Sequence, residues 1–213
     1  MTDFINNIQV VVLMGGLGIR LKDTVSVLPK SMADICGKPF FYYQLELMKS
    51  NGLKKFVFCI GYRGGAIKNY FKDGSKLGVQ IRYSDDGKKP LGTAGALRKA
   101  LPLLNKDILI VYGDSYMDVD YSELIYHYCK FRENKKILGL LAVYKNKNRF
   151  DKSNAIFKNG ELLKYDKKNY SPRMDYIDYG ICILGRDLVK TIAADKYGDL
   201  SDIFHRLVKE ERL

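Results

Sequence analysis

The feature that most constrains this fold is an apolar run, residues 10–14 (VVVLM), that passes directly into a glycine-rich turn at residues 15–18. A short, continuous apolar run of this kind is typical of a strand that is buried on both faces of a sheet. Glycine lets the backbone turn sharply and lets a ligand approach the main-chain N–H groups closely. The pattern therefore predicts a buried strand over residues 8–14 that ends in an anion-binding loop.

Two cations follow this turn, Arg20 and Lys30, and Pro29 directly precedes the second. Backbone N–H groups in a glycine-rich loop can donate to phosphate oxygens, and the two side chains can neutralise the charge of several phosphates. This order of residues favours a site for a nucleoside triphosphate, with Arg20 and Lys30 as the catalytic cations. The expected nucleotide contacts at the strand end and in the turn are Leu13, Gly15, Gly16 and Gly18.

Two better-known phosphate-binding loops do not fit this segment. A dinucleotide fingerprint, G-x-G-x-x-G, requires glycine where the chain has Leu21, and no acidic residue stands at a strand end about 20 residues later. A Walker loop requires G-x-x-x-x-G-K-[ST], which the chain lacks. The phosphate-binding hypothesis therefore rests on the glycines together with the two cations.

Strand patterns alternate with helical patterns along the rest of the chain. This alternation predicts an α/β fold with a doubly wound, mainly parallel, Rossmann-like sheet. We expect strands at residues 56–60, 79–83, 108–112, 137–144 and 181–184, and helices at 39–50, 66–71 and 93–104 and from Asp120, the cap, to about Arg132. Ligands bind at the carboxyl ends of the strands in such sheets. The loops at residues 15–30, 85–95 and 113–118 are therefore expected to converge on one crevice.

Composition excludes several other classes of protein. No stretch approaches the roughly 18 uninterrupted apolar residues of a membrane span. The first residues lack the basic and apolar regions of a signal peptide, so we expect a cytoplasmic protein without a membrane partner. The four cysteines are widely spaced, none forms C-x-x-C, and the chain has only two histidines, which disfavours a zinc site.

The net charge of +12 could attract nucleic acid or small polyanions. The lysines occur singly and in pairs, and no run of five or more cations is present. A generally basic surface explains this distribution, so no nucleic-acid partner is expected. Nucleic-acid binding stays an alternative, because charge by itself supplies nonspecific attraction.

The pattern Gly-Gly-x-Gly-x-Arg-Leu…Pro-Lys of residues 15–30 resembles the signature of the sugar-phosphate nucleotidyltransferases, also called nucleotide-sugar pyrophosphorylases. Further blocks similar to that family occur at residues 73–84, 90–97, 111–114, 165–167 and 176–180. The loop PLGTAG most resembles that of guanylyltransferases acting on mannose or heptose 1-phosphate, and the motifs are also similar to those of N-acetylmuramate 1-phosphate uridylyltransferases. The resemblance adds four expected nucleotide contacts, Pro90, Gly92, Thr93 and Gly113.

The reaction that this resemblance implies is nucleotidyl transfer, in which a phosphate oxygen of the acceptor attacks the α-phosphorus of an NTP and pyrophosphate leaves. Arg20 and Lys30 would hold the triphosphate. The implied cofactor is Mg²⁺, with Asp114 and Asp202 as ligands, although Asp199 could exchange roles with Asp202. A D-x-D pattern at residues 118–120 also fits a glycosyltransferase metal motif, which is kept as an alternative.

The resemblance places the acceptor side at residues 145–178, a small acceptor-binding lobe within a single domain of residues 1–213. The implied acceptor contacts are Asn154, Lys167 and Asp178. Asp178 stands where many relatives carry asparagine, so the acceptor could be an unusual sugar phosphate or a phosphorylated non-sugar. The base stays open among GTP, CTP, UTP and dTTP.

The favoured hypothesis is a Mg²⁺-dependent nucleotidyltransferase that takes an NTP and a phosphorylated small molecule and serves surface-polysaccharide or capsule assembly. A homodimer is an open alternative to the monomer. One alternative is cytidylyl or uridylyl transfer to an unusual phosphate acceptor. Another is a catalytically silent relative that binds nucleotide as a regulatory subunit.

Overall fold

The computed structural model describes residues 2–16, 28–87, 89–133 and 136–213. Its strands are β1 Gln9–Leu13, β2 Asp34–Ile35, β3 Lys38–Pro39, β4 Lys55–Ile60, β5 Gln80–Asp85, β6 Asp107–Tyr112, β7 Gly139–Lys145, β8 Ala155–Lys158, β9 Glu161–Tyr165 and β10 Tyr176–Gly185. Its helices are α1 Thr2–Asn7, α2 Phe40–Ser50, α3 Gly64–Phe71, α4 Gly92–Lys99, α5 Tyr121–Arg132, α6 Arg186–Lys190 and α7 Leu200–Lys209. Within the described ranges, no helix has the length and apolar character that crossing a membrane requires.

Eight strands of the described chain form one sheet in the order β5-β4-β1-β6-β10-β8-β9, and β7 pairs with β10. The pairings among β5, β4, β1 and β6 are parallel, whereas β10 runs antiparallel to β6. Because β7 and β8 both pair antiparallel with β10, they point in the same direction as the four parallel strands. The expected α/β fold with a mainly parallel central sheet is confirmed.

The central strands β1, β4 and β6 are buried on both faces of the sheet, and β1 shows how the sequence achieves this. Val10 and Val12 pack into a core formed with α2, α3 and α5, whereas Val11 and Leu13 pack into a second core formed with α4, α6 and α7. Successive side chains of a strand point to opposite faces, so a continuous apolar run is required when both faces are covered. This arrangement is the doubly wound architecture that the alternating pattern predicted.

Several predicted boundaries are confirmed by the hydrogen bonding of the backbone. The helix expected at residues 39–50 is α2, and Gly52, with φ +85°, follows its C-cap. Asp120 caps α5, because its Oδ1 accepts from the backbone N–H groups of Ser122 and Glu123 at 2.8 and 3.0 Å. A turn at Asn159 and Gly160 joins β8 to β9.

Two predicted elements differ in length from the structure. The helix expected at residues 93–104 ends at Lys99 and continues as a short 3₁₀ turn at residues 101–103, because Pro102 has no N–H for an α-helical hydrogen bond. The strand expected at residues 181–184 begins already at Tyr176. Its first half pairs with β7 outside the apolar core, so no apolar run marks it in the sequence.

Candidate active site

A cavity of about 580 Å³ opens where the parallel strands β1, β5 and β6 end at their carboxyl sides. Its volume lies within the range of small-molecule binding sites. All three loops that were expected to converge contribute to it, together with residues near the start of α7. The lining residues are Leu13, Met14, Gly15, Gly16, Pro29, Lys30, Ser31, Asp86, Pro90, Gly92, Thr93, Ala96, Tyr112, Gly113, Asp114, Tyr197 and Asp199.

The backbone at the end of β1 is fixed by its two neighbouring strands. Met14 N donates to Cys59 O at 2.8 Å, and Gly113 N donates to Leu13 O at 3.0 Å. A Cβ atom on Gly15 would lie 3.1 Å from Asp86 Oδ2, which is closer than nearly all real Cβ contacts. Glycine at position 15 therefore allows the β1 loop to approach the carboxylate that follows β5.

Two buried polar atoms of the cavity lack a hydrogen-bond partner within the described part of the chain, Ser31 Oγ and Asp86 Oδ1. Ser31 and Asp86 are 3% and 8% exposed. Buried polar groups in folded proteins nearly always have partners, so an unpaired one calls for an explanation. Because both residues line the cavity, a polar ligand at this site is one partner that would satisfy them.

The electrostatics of Asp86 agree with a site that receives a hydrogen-bond donor. Burial raises the pKa of this carboxyl group above its usual range, and the positive charge of Lys99 and the backbone N–H of Leu91 counteract part of the increase. Donors from a ligand would favour the ionised form in the same way. Asp86 is thus a partly desolvated carboxylate, and within the ranges that the structure describes its Oδ1 accepts no hydrogen bond.

Lys30 and Asp114 supply opposite charges at the cavity. Lys30 Nζ lies 3.8 Å from Asp114 Oδ2, and the two side chains are 37% and 48% exposed. Lys30 begins a 3₁₀ turn, in which Met32 N donates to Pro29 O at 2.8 Å. Both charged groups are therefore held near each other while remaining accessible to a ligand.

The loop that carries Asp114 is held by a buried polar network beneath it. Gln44 Oε1 accepts from Met117 N at 2.7 Å, and Gln44 Nε2 donates to Tyr121 OH at 2.6 Å. The Tyr121 hydroxyl in turn donates to Met117 O at 3.2 Å. Fully satisfied networks of this kind fix a unique geometry, so α2 and α5 together determine where the loop lies.

Asp199 lines the cavity, whereas Asp202 does not. Asp199 is the N-cap of α7, and its Oδ1 accepts from Ser201 N at 2.8 Å. Asp202 lies in the first turn of the helix, where its Oδ1 accepts from Lys168 Nζ at 2.6 Å. The structure therefore does not bring the predicted metal ligand Asp202 to the cavity, and it places the alternative, Asp199, there.

Asp114 and Asp199 fit the requirements of a magnesium ion that is shared with phosphates. In the described residues no group of three or more His, Cys, Asp or Glu side chains forms a complete protein metal site. Mg²⁺ is typically held by one or two carboxylates together with substrate phosphates and water. Two carboxylates lining a cavity of this kind match that donor set.

The segment of residues 196–199 is fastened to the start of α4. Gly198 O accepts from Ala94 N at 2.9 Å, and Gly198 N donates to Leu91 O at 2.9 Å. Thr93 Oγ1 accepts from Leu200 N at 2.8 Å. Thr93 thus lines the cavity and also joins the two helices, which holds Asp199 at the edge of the cavity.

The three predicted acceptor residues lie together, outside the lining of this cavity. Lys167 Nζ lies 3.1 Å from Asp178 Oδ2, and Asn154 Oδ1 accepts from Asp178 N at 2.9 Å. Asp178 also accepts from Tyr165 OH at 3.0 Å and from Gly180 N at 2.9 Å. The group is therefore one connected cluster, which we call the Lys167–Asp178 cluster.

Tyr112 connects this cluster with the cavity. The ring of Tyr112 lines the cavity, and burial raises the pKa of its hydroxyl, with a further increase from the negative charges of Asp178, Asp199 and Asp114. A Cβ atom on Gly180, whose backbone N–H donates to Asp178 Oδ1, would lie 3.5 Å from Tyr112 Cδ2. The Lys167–Asp178 cluster consequently adjoins the part of the cavity wall that Tyr112 forms.

The structure can now be compared with the residues predicted from sequence. Nine of them line the cavity: Leu13, Gly15, Gly16, Lys30, Pro90, Gly92, Thr93, Gly113 and Asp114. Gly18 and Arg20 lie outside the described residues. Asp118 and Asp120 of the D-x-D pattern do not line the cavity, and Asp120 caps α5.

Sequence reasoning missed Asp86, Ser31, Tyr112 and Tyr197 as cavity residues. A signal for Asp86 was present, because it directly follows a predicted strand of a parallel sheet, where ligands bind. Ser31 directly follows Lys30, but nothing in the sequence indicates that its hydroxyl is buried. Tyr197 lies far along the chain, and its position depends on the packing of α7 against α4.

Comparison with known proteins gives concordant results. The sequence profile of the nucleotidyl transferase family matches residues 9–211. The D-glycero-α-D-manno-heptose 1-phosphate guanylyltransferase of Campylobacter jejuni is 34% identical over 187 residues, which are 87% of this chain and 79% of that protein. An enzyme of the same name from Aneurinibacillus thermoaerophilus is 30% identical over 76% of this chain and 68% of its own.

The crystal structure of HddC from Yersinia pseudotuberculosis complexed with GMP-PN has the same fold. It superimposes with a TM-score of 0.73 at 24% identity, covering 91% of this chain and 83% of that one. This likeness concerns the fold, whereas the profile and the two sequence relatives concern the family.

Proposed function

Because the chain belongs to the nucleotidyl transferase family and is a sugar-phosphate nucleotidyltransferase, we propose that it transfers GMP from GTP to a heptose or mannose 1-phosphate. The two relatives described above carry the name heptose 1-phosphate guanylyltransferase, which supports this choice of acceptor. The single observation in the structure that supports guanine is the buried carboxylate oxygen Oδ1 of Asp86 at the cavity, which has no hydrogen-bond partner among the described residues.

Guanine suits this carboxylate better than uracil and thymine do. Its N1–H and N2 amino group are adjacent donors, so a carboxylate can accept both at once. Uracil and thymine offer one N–H between two carbonyl oxygens, which would face the carboxylate with like partial charges. Because a buried polar group that is left unpaired by the wrong ligand is costly, Asp86 would reject those bases.

The triphosphate would lie between the β1 loop and Lys30. The N–H groups of the loop can donate to phosphate oxygens, and the Lys30 ammonium can neutralise charge that develops on the departing pyrophosphate. The buried hydroxyl of Ser31, which is unpaired in the described part of the chain, can donate to the same group. Arg20 remains the predicted second cation, and its part in the reaction stays a proposal.

In the reaction an oxygen of the acceptor phosphate forms a bond to the α-phosphorus of GTP, and the bond from that phosphorus to the β-phosphate oxygen breaks. The attacking oxygen is already an anion at neutral pH, so no general base has to remove a proton. Catalysis then consists of alignment of the two substrates and neutralisation of their charges. This requirement agrees with a cavity whose charged residues are Lys30, Asp86, Asp114 and Asp199.

Asp114 and Asp199 would hold the Mg²⁺ ion, with Asp199 in place of the Asp202 predicted from sequence. When bound there, Mg²⁺ would neutralise negative charge on the phosphates of GTP. The carboxylates themselves fix where that positive charge can lie. One carboxylate oxygen of Asp199 accepts from Ser201 N, which holds the carboxylate at the N-terminus of α7.

On the acceptor side, Lys167 would hold the phosphate of the sugar and residues 145–178 would form the acceptor lobe. The product, a nucleotide-activated sugar, is a donor for glycosyl transfer, and we propose that it serves surface-polysaccharide or capsule assembly. The four cysteines are free thiols, which fits the proposed location in the reducing cytoplasm.

The test is release of pyrophosphate by the purified protein with Mg²⁺. GTP, UTP, CTP, dTTP and ATP are each paired with D-glycero-α-D-manno-heptose 1-phosphate and with α-D-mannose 1-phosphate. We expect turnover with GTP and a GDP-sugar by mass spectrometry, and none with the Lys30→Met variant. Faster turnover with UTP or CTP would replace the guanylyl proposal with its uridylyl or cytidylyl alternative.

The Asp86→Asn variant tests the proposed choice of base directly. Its amide offers only one acceptor to guanine and adds a donor, so kcat/KM for GTP should fall by about 100-fold, whereas that for UTP should not fall. Nucleotide binding without turnover by the wild type for any pair would support a catalytically silent relative instead.

A further inference from the structure

The Lys167–Asp178 cluster contains a carboxylate that the proposed reaction has not used. We propose that Asp178 is a positioning residue, which holds the Lys167 ammonium in place for the acceptor phosphate and does not itself contact the acceptor. This inference rests on the proposed function, in which Lys167 holds that phosphate. It differs from the expectation from sequence, which made Asp178 a direct acceptor contact.

The burial of Asp178 argues against direct contact with a sugar. Its side chain is only 4% exposed, whereas that of Lys167 is 41% exposed. Both carboxylate oxygens are occupied, Oδ1 by Gly180 N and Oδ2 by the hydroxyl of Tyr165 and the Lys167 ammonium. A ligand therefore reaches the lysine before it reaches the carboxylate.

Lys167 keeps the capacity to bind a phosphate while it is paired with Asp178. An ammonium group carries three N–H donors, and the ion pair engages one side of it. The exposed fraction of the side chain leaves the other side open to a ligand. The ion pair restrains the flexible lysine side chain before the phosphate binds. Less side-chain entropy is then lost on binding, which increases the affinity for the phosphate.

The position of Asp178 is itself fixed by the surrounding strands. Its backbone N donates to Asn154 Oδ1, and Asn154 O accepts from Asp166 N at 2.8 Å. The register of β10 against β7 shifts between Asp178 and Cys182, which marks a bulge or irregularity at the cluster. The hydrogen bonds of Asn154 thus link β8, β9 and β10 next to the ion pair.

The geometry requires a carboxylate and not the asparagine that resembles it in shape. Oδ1 must accept from an N–H of the backbone, and Oδ2 must accept from an ammonium and a hydroxyl. Asparagine has one acceptor oxygen and one N–H₂ group, so it would present a donor either to Gly180 N or to Lys167. Either orientation removes the negative charge that pairs with Lys167, so in the Asp178→Asn variant we expect the ammonium to leave its present position.

The kinetic test uses GTP with the sugar 1-phosphate that gives turnover in the wild type. For Asp178→Asn we expect KM for the acceptor to rise about 10- to 100-fold, kcat to change much less, and KM for GTP to stay unchanged. Lys167→Met should raise KM for the acceptor at least as much. The double variant should be no worse than Lys167→Met alone, because both changes remove the same interaction.

A second measurement needs no acceptor. Acetic anhydride modifies accessible amines, and mass spectrometry gives the acetylation rate of each lysine. In Asp178→Asn we expect Lys167 to react several-fold faster than in the wild type, relative to the exposed Lys158 of β8. An unchanged relative rate at Lys167 would overturn the proposal, since the ion pair would then not restrain the amine.

The outcomes separate this inference from the proposed function. If Lys167→Met leaves KM for the acceptor unchanged, the proposed role of Lys167 fails. If Lys167→Met raises it and Asp178→Asn does not, only the positioning role fails. Should Asp178→Asn not fold, Asp178→Glu keeps the charge but displaces it by one methylene, and an unchanged KM for the acceptor in that variant contradicts the proposal.

Discussion

Gly92 and Gly198 are in such close contact that a Cβ atom added to Gly92 would overlap the carbonyl oxygen of Gly198. The backbone of Gly92, the first residue of α4, is therefore in direct contact with the segment of residues 196–199. The adjacent Asp199 lines the cavity, and so does Tyr197, whose ring edge would lie 3.1 Å from the same Cβ. The position of one proposed metal ligand consequently depends on a glycine about 100 residues earlier.

We predict that Gly92→Ala destabilises the protein and lowers activity. Gly92 has φ +69°, which is strained for alanine, and the overlap with Gly198 would force the two backbones apart. The expected decrease in the free energy of unfolding is about 1–3 kcal/mol, measured by urea denaturation. Gly65→Ala in α3 is the control, because its Cβ meets nothing within 4 Å and alanine favours the helix. Equal stability of the two variants would contradict the argument.

Asp199 and Asp202 offer a matched pair for the proposed metal site. Asp199→Asn keeps a good N-cap for α7 but removes the charge at the cavity, so kcat should fall on the order of 100-fold and more Mg²⁺ should be needed. Asp202→Asn removes an exposed ion pair with Lys168 and should leave kcat nearly unchanged. Pyrophosphate release measured against Mg²⁺ concentration tests both variants. The reverse pattern would restore the assignment made from sequence.

The stability of the protein should depend on pH through Asp86. Burial raises the pKa of this carboxyl group in the folded state, so folding favours its protonated form. The resulting destabilisation is absent below the pKa of the unfolded chain, about 3.9, and grows as the pH rises through the folded pKa. Asp86→Asn should therefore be more stable than the wild type at pH 7 and lose that advantage near pH 3.5. Urea denaturation at both pH values measures the difference in the free energy of unfolding between the variant and the wild type. If that difference were the same at both pH values, this explanation would be wrong.

The sequence predicted many residues of the cavity, because the cavity is built from the ends of parallel strands. Such ends converge in any doubly wound sheet, so loops after β1, β5 and β6 could be assigned to one crevice from their order alone. The predicted contacts in these loops, such as Gly15 and Thr93, indeed line the cavity. Local pattern and fold class were sufficient there.

Other features depend on contacts between distant residues and could not be predicted in that way. Asp202 resembled a metal ligand in sequence, but its partner is Lys168, 34 residues earlier in the chain. Asp178 resembles an acceptor contact in sequence, which stays a prediction, and in the structure its oxygens accept from groups of β9 and β10. In both cases the fold determines which side chains lie next to the carboxylate. The periodicity of the sequence carries no information about those partners.

Gln44 provides a final prediction, because it links the core to the loop that carries Asp114. Gln44→Leu would leave Met117 N without its buried acceptor and remove the amide that donates to the Tyr121 hydroxyl, at a cost of about 1–3 kcal/mol in the free energy of unfolding. The loop should also shift, so kcat at saturating substrates should fall.

Tyr121→Phe is the matched control for this change. It removes the hydroxyl but keeps the hydrogen bond from Met117 N to Gln44, so its effect on kcat should be smaller. Urea denaturation and steady-state kinetics on the two variants separate the contributions to stability and to catalysis. If Gln44→Leu lost stability but retained the wild-type kcat, the network would support the core without determining the position of Asp114.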